Sequence, residues 1–176
     1  MSRSEAVAAD VVVRRALPDD AEAVCAVHKA SVRGLCAGRY SPEQIEAWIG
    51  DRRPERYRHA VTEGGEAMVV AERRGGGGAG IAGFASLQGA EVVAVYVSPA
   101  AAGRGTGAAL LRAIEREARA RGVDRLHLSA SLNAVPFYEA MGYRRVHATT
   151  FFLPGRIELE AVGMEKALGR APRPAV

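Results

Sequence analysis

The sequence predicts a single α/β domain with a mixed, mostly antiparallel central sheet of six to seven strands flanked by helices. Short β-branched runs between turn residues alternate with longer segments of helical period. A strand, a glycine-rich loop and a long helix also follow one another over residues 91–121. With 176 residues, the chain is long enough to bury one core of its own.

The strands are predicted from apolar runs that end at turn residues. A glycine-rich stretch at 73–80 indicates a hairpin connection between the second and third strands, and Pro154-Gly155 indicates a closing hairpin between the last two. The predicted strands cover 11–16, 68–72, 81–87, 91–97, 126–131, 143–152 and 156–165.

The helices are predicted from their start signals and apolar faces. Asp19 or Asp20 is expected to cap the first helix, which ends near Gly34. Ser41 followed by Pro42 and Gln44 has the pattern of a capping box at the start of the second. Further helices are predicted over 54–63, after the glycine loop and over 135–141, the last ended by Gly142.

The helix after the glycine loop carries two pairs of opposite charge at the i,i+4 spacing. Glu115 pairs in this pattern with Arg119, and Glu117 pairs with Arg121. We expect both pairs to lie on a solvated face of the helix.

The glycine loop predicts an anion site. Gly103, Gly105 and Gly107 follow a strand and lead into a helix, whose first N–H groups have no partner within the helix. The Gly-Lys-Ser/Thr ending of a nucleotide P-loop is absent, and the spacing is not that of the dinucleotide fingerprint. A glycine cluster alone is also compatible with an ordinary turn.

Two linked motifs together resemble the GNAT superfamily of N-acetyltransferases. The resemblance covers about residues 11–166, and Ala102 departs from it where the family usually has Arg or Gln. It implies a sheet splayed at an acetyl-CoA site. The matching positions are Val97-Ser98-Pro99, Gly105-x-Gly107, Asn133, Phe137-Tyr138 and Gly142-Tyr143.

The resemblance implies a set of residues that bind acetyl-CoA, mainly through backbone N–H groups. Arg104 is expected to supply the charge that Ala102 lacks, and Asn133 is expected to hold pantetheine, to cap the following helix, or both. The implied set is Val95, Tyr96, Val97, Ala102, Gly103, Arg104, Gly105, Thr106, Gly107, Ala108, Asn133 and Tyr138.

The same resemblance implies the catalytic groups. Tyr138 is expected to be the general acid, against the alternative of a packing tyrosine. Glu91 is expected to be the general base, directly or through water, against the alternative of an exposed residue at a strand end. A carboxylate lies about 6 pKa units below a lysine-like amine, so Glu91 would need burial, a relaying water or an acceptor of low pKa. His127 and Ser129 are reserve candidates.

The acceptor is expected to be a primary amine of a small molecule or peptide. Tyr40 and Trp48 are the candidates for the acceptor wall, with a core position for Trp48 as the alternative. His28 is a weaker candidate for a pocket residue, since a lone helical histidine is more often structural. A CoA-binding regulatory or sensor protein without efficient catalysis remains the alternative function.

Composition sets the remaining expectations. The net charge of +4 comes from scattered arginines without a basic run, so no nucleic-acid partner is expected. No apolar run is long enough for a membrane span. Cys25 and Cys36 form no CxxC motif and indicate free thiols in a reducing cytosol.

The arginine-rich, lysine-poor composition suggests a GC-rich, bacterial genome. Residues 1–9 are expected to be a flexible leader, 10–167 the domain and 168–176 a flexible tail. No metal is expected, and a homodimer through the closing hairpin is left open.

Overall fold

A computed structural model describes residues 11–63, 65–74 and 80–169 as one seven-stranded sheet flanked by helices. The strand order is β1-β2-β3-β4-β5-β7-β6, which confirms the predicted fold class. The strands are β1 Val11–Arg15, β2 Ala67–Arg73, β3 Ile81–Gln88, β4 Glu91–Val97, β5 Arg125–Ser131, β6 Arg144–Leu153 and β7 Ile157–Ala167.

In the described part of the chain, five α-helices accompany the sheet, each close to its predicted bounds. They are α1 Ala21–Leu35, α2 Pro42–Gly50, α3 Pro54–Thr62, α4 Thr106–Ala120 and α5 Val135–Ala140. Short 3-10 turns precede α1 and α4 and join β6 to β7.

The two predicted helix caps have different outcomes. At α2, Gln44 N–H donates to Ser41 Oγ over 3.2 Å and Ser41 N–H donates to Gln44 Oε1 over 2.8 Å, which confirms the capping box. At α1, Asp20 occupies the N-cap but makes no side-chain cap. Its carboxylate instead accepts from Leu17 N–H and from the guanidinium of Arg14, because a charged partner holds it more strongly than a helix N–H.

The helices cover both faces of the sheet, and the alternation of side chains along each strand feeds a core on each face. On one face, α4 packs Leu110, Leu111 and Ile114 against strand residues that include Ala85 and Leu87. On the other face, α1 and α3 pack against Met68, Val70 and Phe84.

Strands β4 and β5 are neighbours that separate. Their parallel pairing is limited to Glu91 and His127, at the beginning of both strands. Beyond that pair, β4 stays bonded to β3 as far as Val97, while β5 continues along β7. Alternate backbone groups on one edge of β4 therefore have no strand partner in the described part of the chain.

Glu115 is not on a solvated face, contrary to expectation. It is buried, at 4% exposure, and its Oε1 accepts from Lys166 Nζ on β7 over 2.7 Å. Position 115 is one turn after the buried Leu111 and therefore lies on the core stripe of α4. Glu117, by contrast, pairs with Arg121 at 2.8 Å in a more exposed position.

The proposed domain limits stay predictions. The leader 1–9, positions 75–79 of the glycine-rich connection and the tail beyond Gly169 lie outside the described residues. Leu168 is buried, and its N–H donates to Asp124 O over 2.7 Å. Within the described ranges, no helix is long and apolar enough to cross a membrane.

Candidate active site

A cavity of about 660 Å³ opens where β4 and β5 separate. Val95, Tyr96 and Val97 line it on the β4 side, and Ser131 and Asn133 line it on the β5 side. The glycine loop, the first turns of α4, part of α5 and the end of α1 with Cys36 form the rest of its wall. The sequence motifs that are distant along the chain therefore meet at one opening.

The glycine loop presents backbone N–H groups to this cavity. Gly103 and Gly105 have φ of +70° and +78°, which side chains with a Cβ rarely adopt. Gly105 is the N-cap of α4 and provides no side-chain cap. The N–H groups at the start of α4 are therefore left for a ligand, and together with the helix dipole they favour an anion.

Asn133 carries an unsatisfied acceptor at the same cavity. Its Oδ1 is buried and has no hydrogen-bond partner within the described chain. It does not cap α5, whose N-cap is Ala134, so that alternative is wrong. Its amide is a hydrogen-bond partner of Cys36, whose pKa burial raises to about 11. A ligand amide N–H in the cavity would satisfy Asn133 Oδ1.

The cationic residue beside this cavity is not the expected one. Arg104 and Thr106 are absent from the cavity lining, whereas Ala102 and Arg112 belong to it. Arg112 lies one helical turn after Ala108, which also lines the cavity. This spacing is the signal in the sequence from which Arg112 could have been found.

A second cavity of about 290 Å³ lies on the other side of the gap. Val95 and Tyr96 of β4 line both cavities, as do Ser131 and Ala134, so the two cavities share walls from both sides of the gap. Tyr138 lines the second cavity together with Ser129 and Trp48. Its remaining walls are mostly apolar and include Phe151, Phe152, Leu153 and Leu159.

Tyr138 is held at this junction with its hydroxyl unengaged. The side chain is 7% exposed, and in the described part of the chain no hydrogen bond to its hydroxyl is formed. Burial, and next the nearby Tyr96, raise the pKa of Tyr138 above its ordinary value of 10. The phenol therefore keeps its proton at neutral pH, but it is a weaker acid than a free tyrosine.

A family model for the acetyltransferase (GNAT) domain matches residues 36–168, about three quarters of the chain. The chain belongs to the GNAT acetyltransferase family. The match includes the glycine loop, Asn133 and Tyr138. A search of curated proteins found no match.

Solved structures agree with the family. A GCN5-related N-acetyltransferase from Rhodopseudomonas palustris has a TM-score of 0.81 and 32% identity, over 90% of this chain and 96% of that one. PaiA N-acetyltransferase from Thermoplasma acidophilum, solved with coenzyme A, has a TM-score of 0.70 and 22% identity, over 89% and 98%.

A phosphinothricin acetyltransferase from Sinorhizobium meliloti, solved with acetyl-CoA, has a TM-score of 0.64 and 20% identity, over 91% of this chain and 89% of that one. At that identity, and at the 22% of the Thermoplasma protein, the likeness shows a shared fold.

Glu91 lies next to the 290 Å³ cavity of this GNAT domain but outside the lining of both cavities. It is exposed at the paired end of β4. The next residues along β4, Val92 and Val93, line the 290 Å³ cavity, so Glu91 lies at its rim. His127 lies beside it across the β4–β5 pair, whereas Ser129 lines the 290 Å³ cavity.

The two candidates for the acceptor wall occupy different positions. Trp48 is 8% exposed and also lines the 290 Å³ cavity, so it is both a core residue and a wall. Tyr40 belongs to neither cavity lining. Its hydroxyl donates to Glu160 O over 2.6 Å and accepts from Leu132 N–H over 2.8 Å, while its ring lies edge-on to Trp48. Tyr40 therefore supports the wall from behind.

His28 is buried beneath the sheet face rather than solvated. Its ring stacks on Tyr96 at 3.9 Å between centroids, and its Nδ1 lies 2.8 Å from the Tyr57 hydroxyl. Burial, with the positive charges of Arg52, Arg56 and Lys29, lowers the pKa of His28 to about 3. Among the residues described, no three His, Cys, Asp or Glu side chains are grouped to hold a metal ion.

Proposed function

We propose that this GNAT protein is an acetyl-CoA-dependent N-acetyltransferase that acts on a primary amine of a small molecule or peptide. The observation that carries the proposal is the 660 Å³ cavity between the separated strands β4 and β5. It combines uncapped helix N–H groups for phosphate with the unsatisfied Asn133 Oδ1 for a pantetheine amide. The residues present fit coenzyme A in both respects.

The proposed binding set is the glycine loop with residues 102–108, the strand residues Val95 to Val97, and Asn133. Arg112, on the cavity wall, takes the place that the sequence assigned to Arg104. The backbone N–H of Val97 on the free edge of β4 would polarise the thioester carbonyl. Ser98 N–H donates to Ala82 O of β3, and the alternation along the strand directs Tyr96 N–H to β3 as well.

In the proposed reaction, the neutral amine attacks the thioester carbon, the new C–N bond forms and the C–S bond breaks. The proton that the amine nitrogen loses passes to the general base, Glu91. Tyr138 donates its proton to the departing thiolate. A phenol near pKa 10 lies about 1.5 units above a thiol, or about 2 kcal/mol. Burial of Tyr138 widens that gap, so the donation is uphill in the free protein.

Glu91 remains the proposed general base, directly or through a water, from its position beside Val92 and Val93 at the rim of the 290 Å³ cavity. Glu91→Gln tests this role, because loss of a base lowers kcat and removes the acidic limb of its pH profile. If the variant keeps both its kcat and the acidic limb of the pH profile, Glu91 is an exposed strand-end residue without a catalytic role. Ser129, which lines the 290 Å³ cavity, is then the next candidate for the base.

We expect a cytoplasmic protein without nucleic-acid or membrane partners. A homodimer would form through edge strand β6, which exposes Val146, Phe151 and Phe152. Analytical ultracentrifugation tests it, and a monomer at micromolar concentration would contradict it.

The experiment that tests the function is isothermal titration with acetyl-CoA beside dephospho-CoA and ATP, followed by an amine panel read out as free thiol. Binding of acetyl-CoA with turnover of an amine supports the enzyme. Binding without turnover of any amine would favour a CoA-binding regulatory or sensor protein. Absence of acetyl-CoA binding would contradict both.

A further inference from the structure

A third cavity of about 390 Å³ continues from the 290 Å³ cavity, on the face of the sheet covered by α1 and α3. Arg52 and Tyr96 line both, so the two cavities are neighbours across these side chains. The third cavity also contains Arg56, His28 and Ser86. The function proposed above uses none of these four polar residues.

The two arginines are cations without counter-ions. Neither Arg52 nor Arg56 has an ion-pair partner within the described chain. Arg52 is tethered through its Nε, which donates to Trp48 O over 3.3 Å, and this leaves its two terminal nitrogens for a ligand. Among the described residues that line the 290 Å³ cavity, Arg52 is the one with a full charge. A guanidinium in that position favours a carboxylate.

The floor of the third cavity adds two unsatisfied polar atoms. His28 Nε2 and Ser86 Oγ are buried and have no hydrogen-bond partner within the described residues. Their side chains are 4% and 1% exposed. An unsatisfied buried polar group is costly unless a ligand or water completes it.

The charge around this cavity is positive. Burial first, and then the positive charges of Arg52, Arg56 and Lys29, lower the pKa of His28, so the ring is neutral and adds no charge of its own. Glu66 is the carboxylate among the described lining residues, and His59 at the rim lies 3.7 Å from Glu63. Two unpaired guanidinium groups therefore face one carboxylate.

We propose that the acceptor is a small primary amine that carries a carboxylate, which Arg52 and Arg56 bind while the amine lies beside Tyr138. The inference rests on the proposed acetyl transfer and names its substrate class. The two cavities, of about 290 and 390 Å³, fit an amino-acid-sized molecule. An acceptor with a second positive charge would be disfavoured by the same arginines.

A series of ω-amino acids tests the proposal on the full-length protein. Each is compared with the n-alkylamine and the diamine of equal chain length, with free thiol as the readout. We expect kcat/KM for the best amino acid to exceed that of its alkylamine by about 10-fold or more. The chain length with the highest rate then reports the span from the reaction centre to the arginines. Equal or higher rates for the diamines would overturn the proposal.

Single substitutions test whether Arg52 and Arg56 bind the carboxylate of the acceptor. In Arg56→Gln and Arg52→Gln, we expect KM for the amino acid to rise about 10-fold to 100-fold while kcat and the rates of alkylamines stay within about threefold. Arg53→Gln removes the same charge beside Arg52, at an exposed residue outside the lining of both cavities, and should change neither. Because Arg56 is exposed, its substitution should not disturb folding, and it keeps the test valid if the Arg52 variant fails to fold. An unchanged KM in both variants would overturn the proposal.

Direct binding separates this proposal from the function on which it rests. If no amine is acetylated, the acetyltransferase proposal fails, and calorimetry with the same ω-amino acids on the CoA-saturated protein decides the anion site alone. Binding that Arg56→Gln weakens and Arg53→Gln preserves supports the site. Absence of binding, or binding insensitive to both variants, refutes it.

Discussion

Tyr138 is the residue on which the proposed chemistry depends most directly. Removing only its hydroxyl in Tyr138→Phe should lower kcat by about 10² to 10⁴, the range of a general acid, with the dissociation constant for acetyl-CoA changed by less than about threefold. Because burial raises its pKa, kcat should show no alkaline fall from this phenol up to pH 10. Steady-state rates from pH 6 to 10 and calorimetry measure the three quantities.

The matched control for this substitution is Tyr143→Phe. Tyr143 is also buried, at 3% exposure, and its ring contacts that of Tyr138, but it belongs to the lining of neither active-site cavity. We expect its kcat to stay within about twofold of the unmodified protein. A Tyr138→Phe variant that keeps more than about a third of kcat would reduce Tyr138 to a packing residue.

His28 predicts a loss of stability in acid. Its pKa is about 6.5 in the unfolded chain and about 3 in the folded one. Its contribution is therefore complete above pH 6.5 and is lost as pH falls toward 3, because only the unfolded state takes the proton. The free energy of unfolding should fall by about 1.4 kcal/mol per pH unit, or about 2–3 kcal/mol by pH 4.5.

Urea unfolding at pH 7 and pH 4.5 measures this loss. His28→Gln keeps a polar group for the Tyr57 hydroxyl and removes the titration, so its stability should change less between the two pH values. His127→Gln, at an exposed position, should behave as the unmodified protein does. Equal changes in all three proteins would contradict the assignment.

Single residues were the hardest scale to predict from the sequence. Asn133, Tyr138 and the loop glycines were predictable because their motifs are local in sequence. Arg52 was not, because it follows α2 in a stretch without a motif, and it reaches β4 only through the packing of helices on the sheet. Tyr40 was assigned to the acceptor wall. Its hydroxyl instead bonds to backbone groups of two segments that are distant along the chain, and nothing near Tyr40 in the sequence indicates these bonds.

Two glutamates of helix α4, Glu115 and Glu117, should contribute differently to the free energy of unfolding. Glu115 is buried against Lys166 of β7 at 2.7 Å, whereas Glu117 pairs with Arg121 and Arg15 near the surface. Glu115→Ala should reduce the free energy of unfolding by about 3 kcal/mol, since the partly buried Lys166 ammonium keeps Met141 O and the Tyr143 ring but loses its counter-charge. Glu117→Ala should cost at most about 1 kcal/mol.

Thermal or urea unfolding of the two variants measures the difference. Arg119, 3.9 Å from Glu115, is too distant and too exposed to replace Lys166. A double variant in which Lys166 is also replaced, by Met, should recover part of the lost stability, because it removes the unpaired charge. Equal losses in the two single variants would contradict the predicted difference.

Element bounds were predictable to within about two residues because turn residues and apolar periodicity are local signals. The separation of β4 from β5 came only from the family resemblance. Nothing in the composition of either strand specifies it, since it depends on β5 pairing with β7 while β4 pairs with β3. The order of strands in a sheet is a property of the whole molecule.

At the scale of the whole molecule, the ionisation of all five tyrosines should be linked to unfolding at alkaline pH. Burial raises the pKa of Tyr40, Tyr57, Tyr96, Tyr138 and Tyr143, that of Tyr96 to about 12. Their contribution to stability is complete below pH 10 and is lost as pH rises above it, because the unfolded chain releases these protons first. Each adds up to about 1.4 kcal/mol per pH unit, so the fall should be steep. Absorbance at 295 nm should therefore rise in one step together with the loss of circular dichroism. Independent titration near pH 10 in the folded protein would contradict the burial of these side chains.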